Sequence, residues 1–320
     1  MDTRTTCLVT GGAGFIGSHI AEKLLESNHK VRIFDNFSTG KALNIEHLKN
    51  KSEFIEGDIR NLDVIQSAMN GVDYVFHQAA IPSVPRSIID PITTHEVNAT
   101  GTLNVLIAAR DSDVKRVVYA SSSSVYGNSP VLPKTEDMPT NPLSPYAVSK
   151  LTGEQYCRSF YEVYGLETIS LRYFNIFGPR QDPESPYAGV IPTFIHQMLN
   201  DNQPTIFGDG QQSRDFTFVS NAVQANLLAC SSKEGIGEVF NVGCGTQYTL
   251  LDIIRQLNIM IGTDIYPNFN PPRQGDVRDS LADIQRISKL GYNVEIQLNQ
   301  GLSELLSWIR NIRTSKVNRD

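Results

Sequence analysis

Apolar positions along the first half of this chain follow two alternating rhythms. Residues 5–10 ("TTCLVT") form a short, β-rich apolar run, and residues 14–27 follow with Ile16, Ile20 and Leu24 on one helical face. Lys30–Asp35 ("KVRIFD") returns to a strand pattern, so the opening reads strand, glycine turn, helix, strand. The same spacing predicts strands at Glu53–Glu56, Tyr74–His77, 116–120 and 168–172, and helices over 62–69, 96–111 and Pro145–Tyr164. Such alternation predicts an α/β fold: a doubly wound parallel sheet with helices on both faces and right-handed crossovers.

After about Asn175 the texture changes. Pro179, Pro183, Pro186 and Pro192 crowd one span, and Pro267, Pro271 and Pro272 another. Between and after them the pattern predicts helices over 192–200 and 221–230, strands at Thr205–Phe207 and 238–243, and helices near Leu250–Ile261 and 301–313. We expect two units: residues 1–175, and a smaller α/β region over 176–320 that is interleaved with the first and returns to it near 214–242. No low-complexity linker or internal repeat separates them.

Composition narrows the classes. Hydrophobic residues make up 40% and charged residues 19% of 320 positions, a globular balance that excludes a disordered chain. With 28 Lys and Arg against 34 Asp and Glu, the formal charge of -6 gives no electrostatic footprint for nucleic acid or an anionic membrane. Cys7, Cys157, Cys230 and Cys244 are scattered, so neither a zinc site nor a disulfide framework is expected. No apolar run reaches about 18 residues. The start passes directly into a strand without a signal-peptide layout. These features predict a cytoplasmic protein that carries no metal.

The turn "TGGAGFIG" places Gly11, Gly14 and Gly17 at G-x-x-G-x-x-G spacing between a strand and a helix. The first glycine allows the tight turn, the second a close approach of backbone to a pyrophosphate, and the third close helix–sheet packing. The free N–H groups of the helix then face the phosphates. Asp35 ends the second strand, where a carboxylate accepts both ribose hydroxyls and repels a 2′-phosphate, so NAD is favoured over NADP. A phosphate-binding P-loop is excluded, because Ser18 follows Gly17 where a lysine is required. Asp58 could reach an adenine amino group or simply cap the next helix. His77 reads as a packed strand-end residue rather than a catalyst.

"YASSSSVYG" (119–127) ends the fifth strand, at the ligand edge of an open parallel sheet. "SPYAVSK" follows, and in a helix Tyr146 and Lys150 share a face one turn apart. A lysine ammonium beside a phenol favours phenolate, so the tyrosine can take a proton from a sugar hydroxyl while a serine bonds the same oxygen. Tyr-x-x-x-Lys alone occurs by chance in many helices. The glycine turn, Asp35 and the serine run at a strand end give it meaning.

With "TGGAGFIGSH", "FDN", "GDIR", "HQAA", "SSSSVYG", "YAVSK", "RYFNIFGPRQ", "VIP", "SRDF" and "PRQGDVRDSLAD" taken together, nearly the whole chain resembles the extended short-chain dehydrogenase/reductases, specifically the UDP-sugar 4-epimerases. The resemblance implies a Rossmann-type domain holding NAD tightly, a C-terminal domain for a nucleotide-sugar, and a homodimer paired through helices of the first domain. It places the catalytic serine on Ser122, with Ser123 and Ser124 lining the sugar pocket. Related 4,6-dehydratases carry an Asp-Glu pair at those two places, so the serines argue against dehydration. For the cofactor, the resemblance adds Phe15 and Ile16 in the glycine turn, and Asn36, Ser38 and Gly40 after the second strand. It further adds Ile59 beside Asp58, then Gln78, Ala79 and Ala80, and finally Asn98 and Tyr173. For the nucleotide-sugar it adds Asn175, Val190 and Ile206, with Asp276 on the uridine ribose. Arg214 in "SRDF" and Arg273 in "PPRQGD" are the cations that could hold the diphosphate.

In epimerases confined to unsubstituted hexoses, a tyrosine narrows the pocket four residues after the position of Asp276; this chain has Ser280 there. A small residue leaves room for a 2-acetamido group. Gln181 and Gly189 match the branch selective for UDP-N-acetylglucosamine. The resemblance therefore implies UDP-GlcNAc/UDP-GalNAc interconversion, with UDP-Glc/UDP-Gal as a further pair. A UDP-glucuronate epimerase or decarboxylase would need a cation for the sugar carboxylate, and the sequence offers no spare one. A catalytically silent dinucleotide sensor would be expected to lack the tyrosine–lysine pair.

Overall fold

The computed structural model describes residues 4–183, 188–272 and 277–317. Its centre is a seven-stranded parallel sheet built from β1 (Thr6–Thr10), β2 (Lys30–Asp35), β3 (Glu53–Glu56), β4 (Tyr74–His77), β5 (Arg116–Ser122), β6 (Glu167–Tyr173) and β11 (Val239–Val242). The spatial order is β11-β6-β5-β4-β1-β2-β3. In register, Val9 lies between Ile33 and Phe76, and Val118 lies beside Ile169. These residues are buried, as a sheet covered on both faces requires. The order reverses between β1 and β4, and the crevice at that point opens at the strands' C-terminal ends.

Two hydrophobic layers flank the sheet. On one side α1 (Phe15–Glu26) and α8 (Val219–Ser231) cover it, with Ile20, Leu24, Ala222 and Ala225 in the core. On the other, α2 (Leu62–Ala68), α5 (Gly101–Asp111) and α6 (Pro145–Tyr164) bury Ile65, Val105, Leu106 and Phe160. A third core gathers α7 (Val190–Met198), α9 (Leu250–Ile261) and α11 (Leu298–Val317) around Phe177, Phe194, Phe216 and Phe218. Short paired strands lace this region: β7 (Ile176–Phe177) with β10 (Thr217–Phe218), β8 (Thr205–Phe207) with β13 (Asn268–Asn270), and β9 (Ser213–Arg214) with β12 (Tyr248–Thr249).

The main strands and long helices fall where the periodicity predicts them, and α6 does so to the residue. Two helices escape that reading: α3 (Val84–Ile89) and α4 (Pro91–His95). Pro85 and Pro91 read as breakers, yet they sit in first turns, where a missing N–H costs nothing. The Ser83 hydroxyl caps Arg86 N at 3.1 Å and the Asp90 carboxylate caps Thr93 N at 3.1 Å. The expected single helix over 96–111 is regular only from Gly101; residues 96–100 wind wider, as a π turn. There the Asn98 side chain accepts from Ile81 N at 2.8 Å and donates to Ile81 O and Ser149 Oγ, clamping the loop after β4 to α6.

Candidate active site

Three structural features meet in one cleft of about 590 Å³ at the C-terminal edge of the sheet. The glycine turn forms its floor. Gly11 has φ +65°, and a Cβ there would sit 2.6 Å from Ala79 N. A Cβ on Gly17 would collide with the Gly11 carbonyl oxygen, so α1 could not lie this close to the turn. No side chain caps the N-terminus of α1, and Gly14, Phe15, Ile16 and Gly17 line the cleft with their backbone. A cradle of uncapped N–H groups that any Cβ would fill fits a pyrophosphate.

Asp35 closes the ribose end. One carboxylate oxygen accepts from Ala13 N at 2.9 Å and the other from Phe37 N at 2.8 Å, which aims the group and leaves lone pairs for a diol. Burial raises its pKa, and backbone N–H bonds from Phe37, Ala13 and Asn36 pull it back. Asn36 and Ser38 line the wall beside it, while Gly40 abuts the Asp35 carboxylate without facing the cleft. Asp58 and Ile59 also line the wall. Asp58 accepts from Asn36 Nδ2 at 3.0 Å and pairs with Arg60, whose hydrogen bonds lower its pKa. The cap of α2 is Asn61, so of the two sequence readings of Asp58 the helix cap falls away. Across the cleft stand Gln78, Ala79, Ala80 and Tyr173. The Tyr173 hydroxyl joins Gln78 at 3.2 Å and Asn226 at 2.6 Å. These residues together fit NAD.

His77 is buried at the end of β4 between Thr10 Oγ1 (2.7 Å) and Thr102 Oγ1 (2.9 Å). Burial lowers its pKa to about 3, as does the Lys150 charge to a smaller extent. It is a neutral packing residue, as read from the sequence.

The chemistry faces this floor. Ser122 ends β5; Ser123 and Ser124 begin the turn that follows, and all three line the cleft. The Ser124 hydroxyl is buried with no hydrogen-bond partner among the described residues. Ser144 caps α6 through Ala147 N at 3.2 Å, and Pro145 starts it, which puts Tyr146 in the first turn. There the positive end of the helix dipole favours phenolate. Lys150 follows one turn later, 4% exposed, and donates to Ala120 O at 2.7 Å.

The electrostatics differ from the sequence expectation. Burial raises the Tyr146 pKa, and the hydrogen bond from Ser122 pulls it back. Lys150 Nζ lies 6.0 Å from the Tyr146 ring centroid and 5.2 Å from that of Tyr119, on the flank of the phenol. Burial also lowers Lys150 itself to about 7, so its charge is partial at neutral pH. Two buried groups, pushed toward their neutral forms, face a common space.

The nucleotide-sugar residues are split. Asn175, Gln181, Gly189, Arg214 and Ser280 line the cleft. Asn175, at φ 38°, donates to Asp215 O at 3.0 Å and to Ser280 Oγ at 3.2 Å. The loop bearing Gln181 is strapped to the first unit: Arg180 donates to Glu22 at 2.5 Å and Lys41 pairs with Asp182 at 2.6 Å. Arg214 donates to Ser213 O at 2.9 Å and to Arg278 O at 2.5 Å. Besides Gly40, three expected contacts do not line the cleft. Ile206 is wholly buried in the third core, Val190 packs against that core, and Asn98 acts through the loop after β4. Arg273 and Asp276 lie outside the described residues. The sequence reading missed Arg86 and Lys134, both on the cleft wall. Lys134 is buried and donates to the carbonyls of Ser129 and Val131. Neither sits in a motif, so no local signal marks it. Among the described residues, no His/Cys/Asp/Glu cluster could hold a metal, and no helix is long and apolar enough to cross a membrane.

Fold and site define a dinucleotide-binding enzyme whose cleft lies at the switch point of a doubly wound sheet. Comparison with known proteins agrees. Residues 7–243 match the family described as "NAD dependent epimerase/dehydratase family". The chain is 42% identical to a putative UDP-glucose 4-epimerase of Methanocaldococcus jannaschii, over 95% of this chain and 98% of that one. Among solved structures, a UDP-N-acetylglucosamine 4-epimerase from Methanobrevibacter ruminantium M1, in complex with UDP-N-acetylmuramic acid, superposes with TM-score 0.93 at 39% identity, over 97% and 100% of the two chains. A UDP-glucuronic acid 4-epimerase from Bacillus cereus, in complex with UDP-glucuronic acid and NAD, gives 0.89 at 35% identity, over 96% and 100%. The chain belongs to this NAD-dependent family, as an extended short-chain dehydrogenase/reductase of the UDP-sugar 4-epimerase type.

Proposed function

We propose that the chain inverts C4 of UDP-N-acetylhexosamines, interconverting UDP-GlcNAc and UDP-GalNAc, and also accepts UDP-Glc and UDP-Gal. Tyr146 removes the proton of the sugar's 4-hydroxyl, Ser122 hydrogen-bonds the same oxygen, and Lys150 favours the phenolate by its charge. The glycine turn and Asp35 would hold NAD, which when bound would supply the hydride acceptor and donor for C4. Between the two transfers the 4-keto sugar turns in the pocket, whose Ser123 and Ser124 offer hydroxyls but no acid–base pair for dehydration. Arg214 and Arg273 neutralise the diphosphate, Asp276 and Asn175 hold the nucleotide side, and residues 176–320, apart from the return near 214–242, form the sugar-binding unit. The working form is a homodimer paired through helices of the first unit; light scattering during gel filtration tests this.

The observation that carries the substrate reading is Ser280. It is 7% exposed, lines the cleft and is held by Asn175, so a small side chain stands where bulk would close the pocket. Gly189 adds to it, since a Cβ there would approach Gln181 Nε2 to 3.0 Å. Gln181 Oε1, buried and without a hydrogen-bond partner among the described residues, offers an acceptor for an amide N–H. A second reading, UDP-glucuronate, is favoured by Lys134, a cation on the cleft wall.

The deciding experiment incubates the purified protein separately with UDP-GlcNAc, UDP-Glc and UDP-glucuronate and resolves the products, with Ser280→Tyr alongside. We expect UDP-GalNAc and UDP-Gal from the wild type, and a loss of tenfold or more on the acetamido sugar alone in the variant. Equal turnover of UDP-GlcNAc by the tyrosine variant would overturn the pocket argument, and turnover confined to UDP-glucuronate would establish the second reading.

A further inference from the structure

One turn beyond Lys150, α6 carries a second buried charge that the proposed reaction does not use. Glu154 is 2% exposed. Its Oε1 accepts from Arg172 Nε at 2.9 Å and from the Ser121 hydroxyl, and its Oε2 accepts from Arg172 Nη2 at 2.7 Å. Arg172, 4% exposed on β6, also stacks on the Tyr126 ring at 4.7 Å. The fork ties α6 to β6, and the serine ties it to β5 at the residue preceding Ser122. The two elements that carry Ser122, Tyr146 and Lys150 are thus fastened to each other and to β6 at one carboxylate.

A pair that only pinned the helix could point either way. Here the carboxylate is on the lysine's own helix face, at the i, i+4 position, and the guanidinium stands beyond it on β6. The groups facing Lys150 can be named by element. Tyr146, Glu154 and Cys157 come from α6, Tyr119 from β5 and His77 from β4. His77 is held neutral, and burial raises Cys157 and Tyr119, so both stay protonated at neutral pH. Glu154 is the one anion in the set. Burial works against the Lys150 charge, and Glu154 is the foremost influence opposing it.

We infer that Glu154 is a positioning residue that preserves part of the Lys150 charge and holds α6 to β5 beside Ser122, so that the Tyr146 proton transfer depends on a carboxylate that touches neither substrate nor cofactor. The inference rests on the reading of Lys150 as part of the catalytic set. Its test needs no turnover, so a wrong choice of sugar leaves it standing.

The test is a pH titration of Lys150 Nζ in protein labelled with 15N at the lysine side chains, the resonance being assigned by its disappearance in Lys150→Met. Removing a unit charge one helical turn away should lower the midpoint by about one to two pH units in Glu154→Gln. Glu154→Asp, which keeps the charge, should restore most of it. Where Glu154→Gln does not fold, Glu154→Gln/Arg172→Gln is read against Arg172→Gln, so that the two differ only in the Glu154 charge and the same downward shift is expected. With active substrate, the pH profile of kcat should move with the midpoint while KM changes less than twofold. A purely structural role would lower the melting temperature and leave the Lys150 midpoint within about 0.3 pH unit of wild type. That result, in the single variant or in the double variant against Arg172→Gln, overturns the inference.

Discussion

Lys150→Met should make the enzyme inactive and yet more stable at neutral and acidic pH. Lys150 is 4% exposed, and burial takes its pKa from 10.5 to about 7. At about 1.4 kcal/mol per pH unit, that fall corresponds to about 5 kcal/mol held against the charged form. Methionine removes this cost but also removes the charged hydrogen bond to Ala120 O, worth about 1.5–3 kcal/mol. About 2–3 kcal/mol of net stabilisation remains. The sign with pH follows from the depressed pKa. Below pH 7 both folded and unfolded lysine hold the proton, so the native state bears the full cost. Between 7 and 10.5 the unfolded chain binds more protons than the native one, and wild-type stability rises. The assay is calorimetric melting of nucleotide-stripped wild type and variant from pH 6 to pH 10. With unfolding entropies of about 2.1 cal/mol/K per residue, 2–3 kcal/mol is a gain of about 3–5 °C at pH 6. The gap should shrink as pH rises above 7 and reverse before pH 10, because the cost regained by the wild type exceeds it. A variant less stable than wild type at pH 6, or a gap that does not shrink with pH, refutes the reasoning.

Tyr146→Phe should cut kcat by about 10²–10⁴ while NAD stays bound, as steady-state rates and nucleotide absorbance on the purified protein would reveal. Asp35→Ser should lower NAD affinity about tenfold and raise the affinity for NADP, because a carboxylate fixed by Ala13 N and Phe37 N no longer faces the 2′ position; titration calorimetry with both dinucleotides measures the exchange. Arg172→Met should destabilise the fold by about 3–5 kcal/mol by stranding Glu154, whereas Glu154→Leu/Arg172→Met should recover most of that loss in urea melts.

Much of the site was legible because its signals are local. The glycine turn, Asp35 and Tyr146–Lys150 each lie at a strand or helix end, where periodicity fixes both the element and the residue that leaves it. What escaped was set by contacts distant in sequence. Lys134 reaches the cleft because its backbone pairs with Leu281 and Asp283, well over a hundred positions away. Ile206 carries an apolar side chain that can serve a pocket or a core equally well, and only the packing of α7, α9 and α11 assigns it to the core. Asn98 was placed on the cofactor, but its amide is used up by Ile81 and Ser149.

By itself the sequence determined the alternation of strands and helices, the glycine turn between β1 and α1, and the placing of Tyr146 and Lys150 one turn apart on one helix. All of these follow from hydrophobic period and short-range spacing. The tertiary structure alone decided how the charges act. It buried Tyr146 and Lys150 together, so that solvent loss opposes both ionised forms. It set the Ser122 hydroxyl as a group that eases the phenol, and it joined Glu154 to Arg172 and Ser121 one helical turn beyond Lys150. The reason is physical: spacing says which side chains can meet, but the energy of a charge depends on the water and the partners that the whole fold removes or supplies.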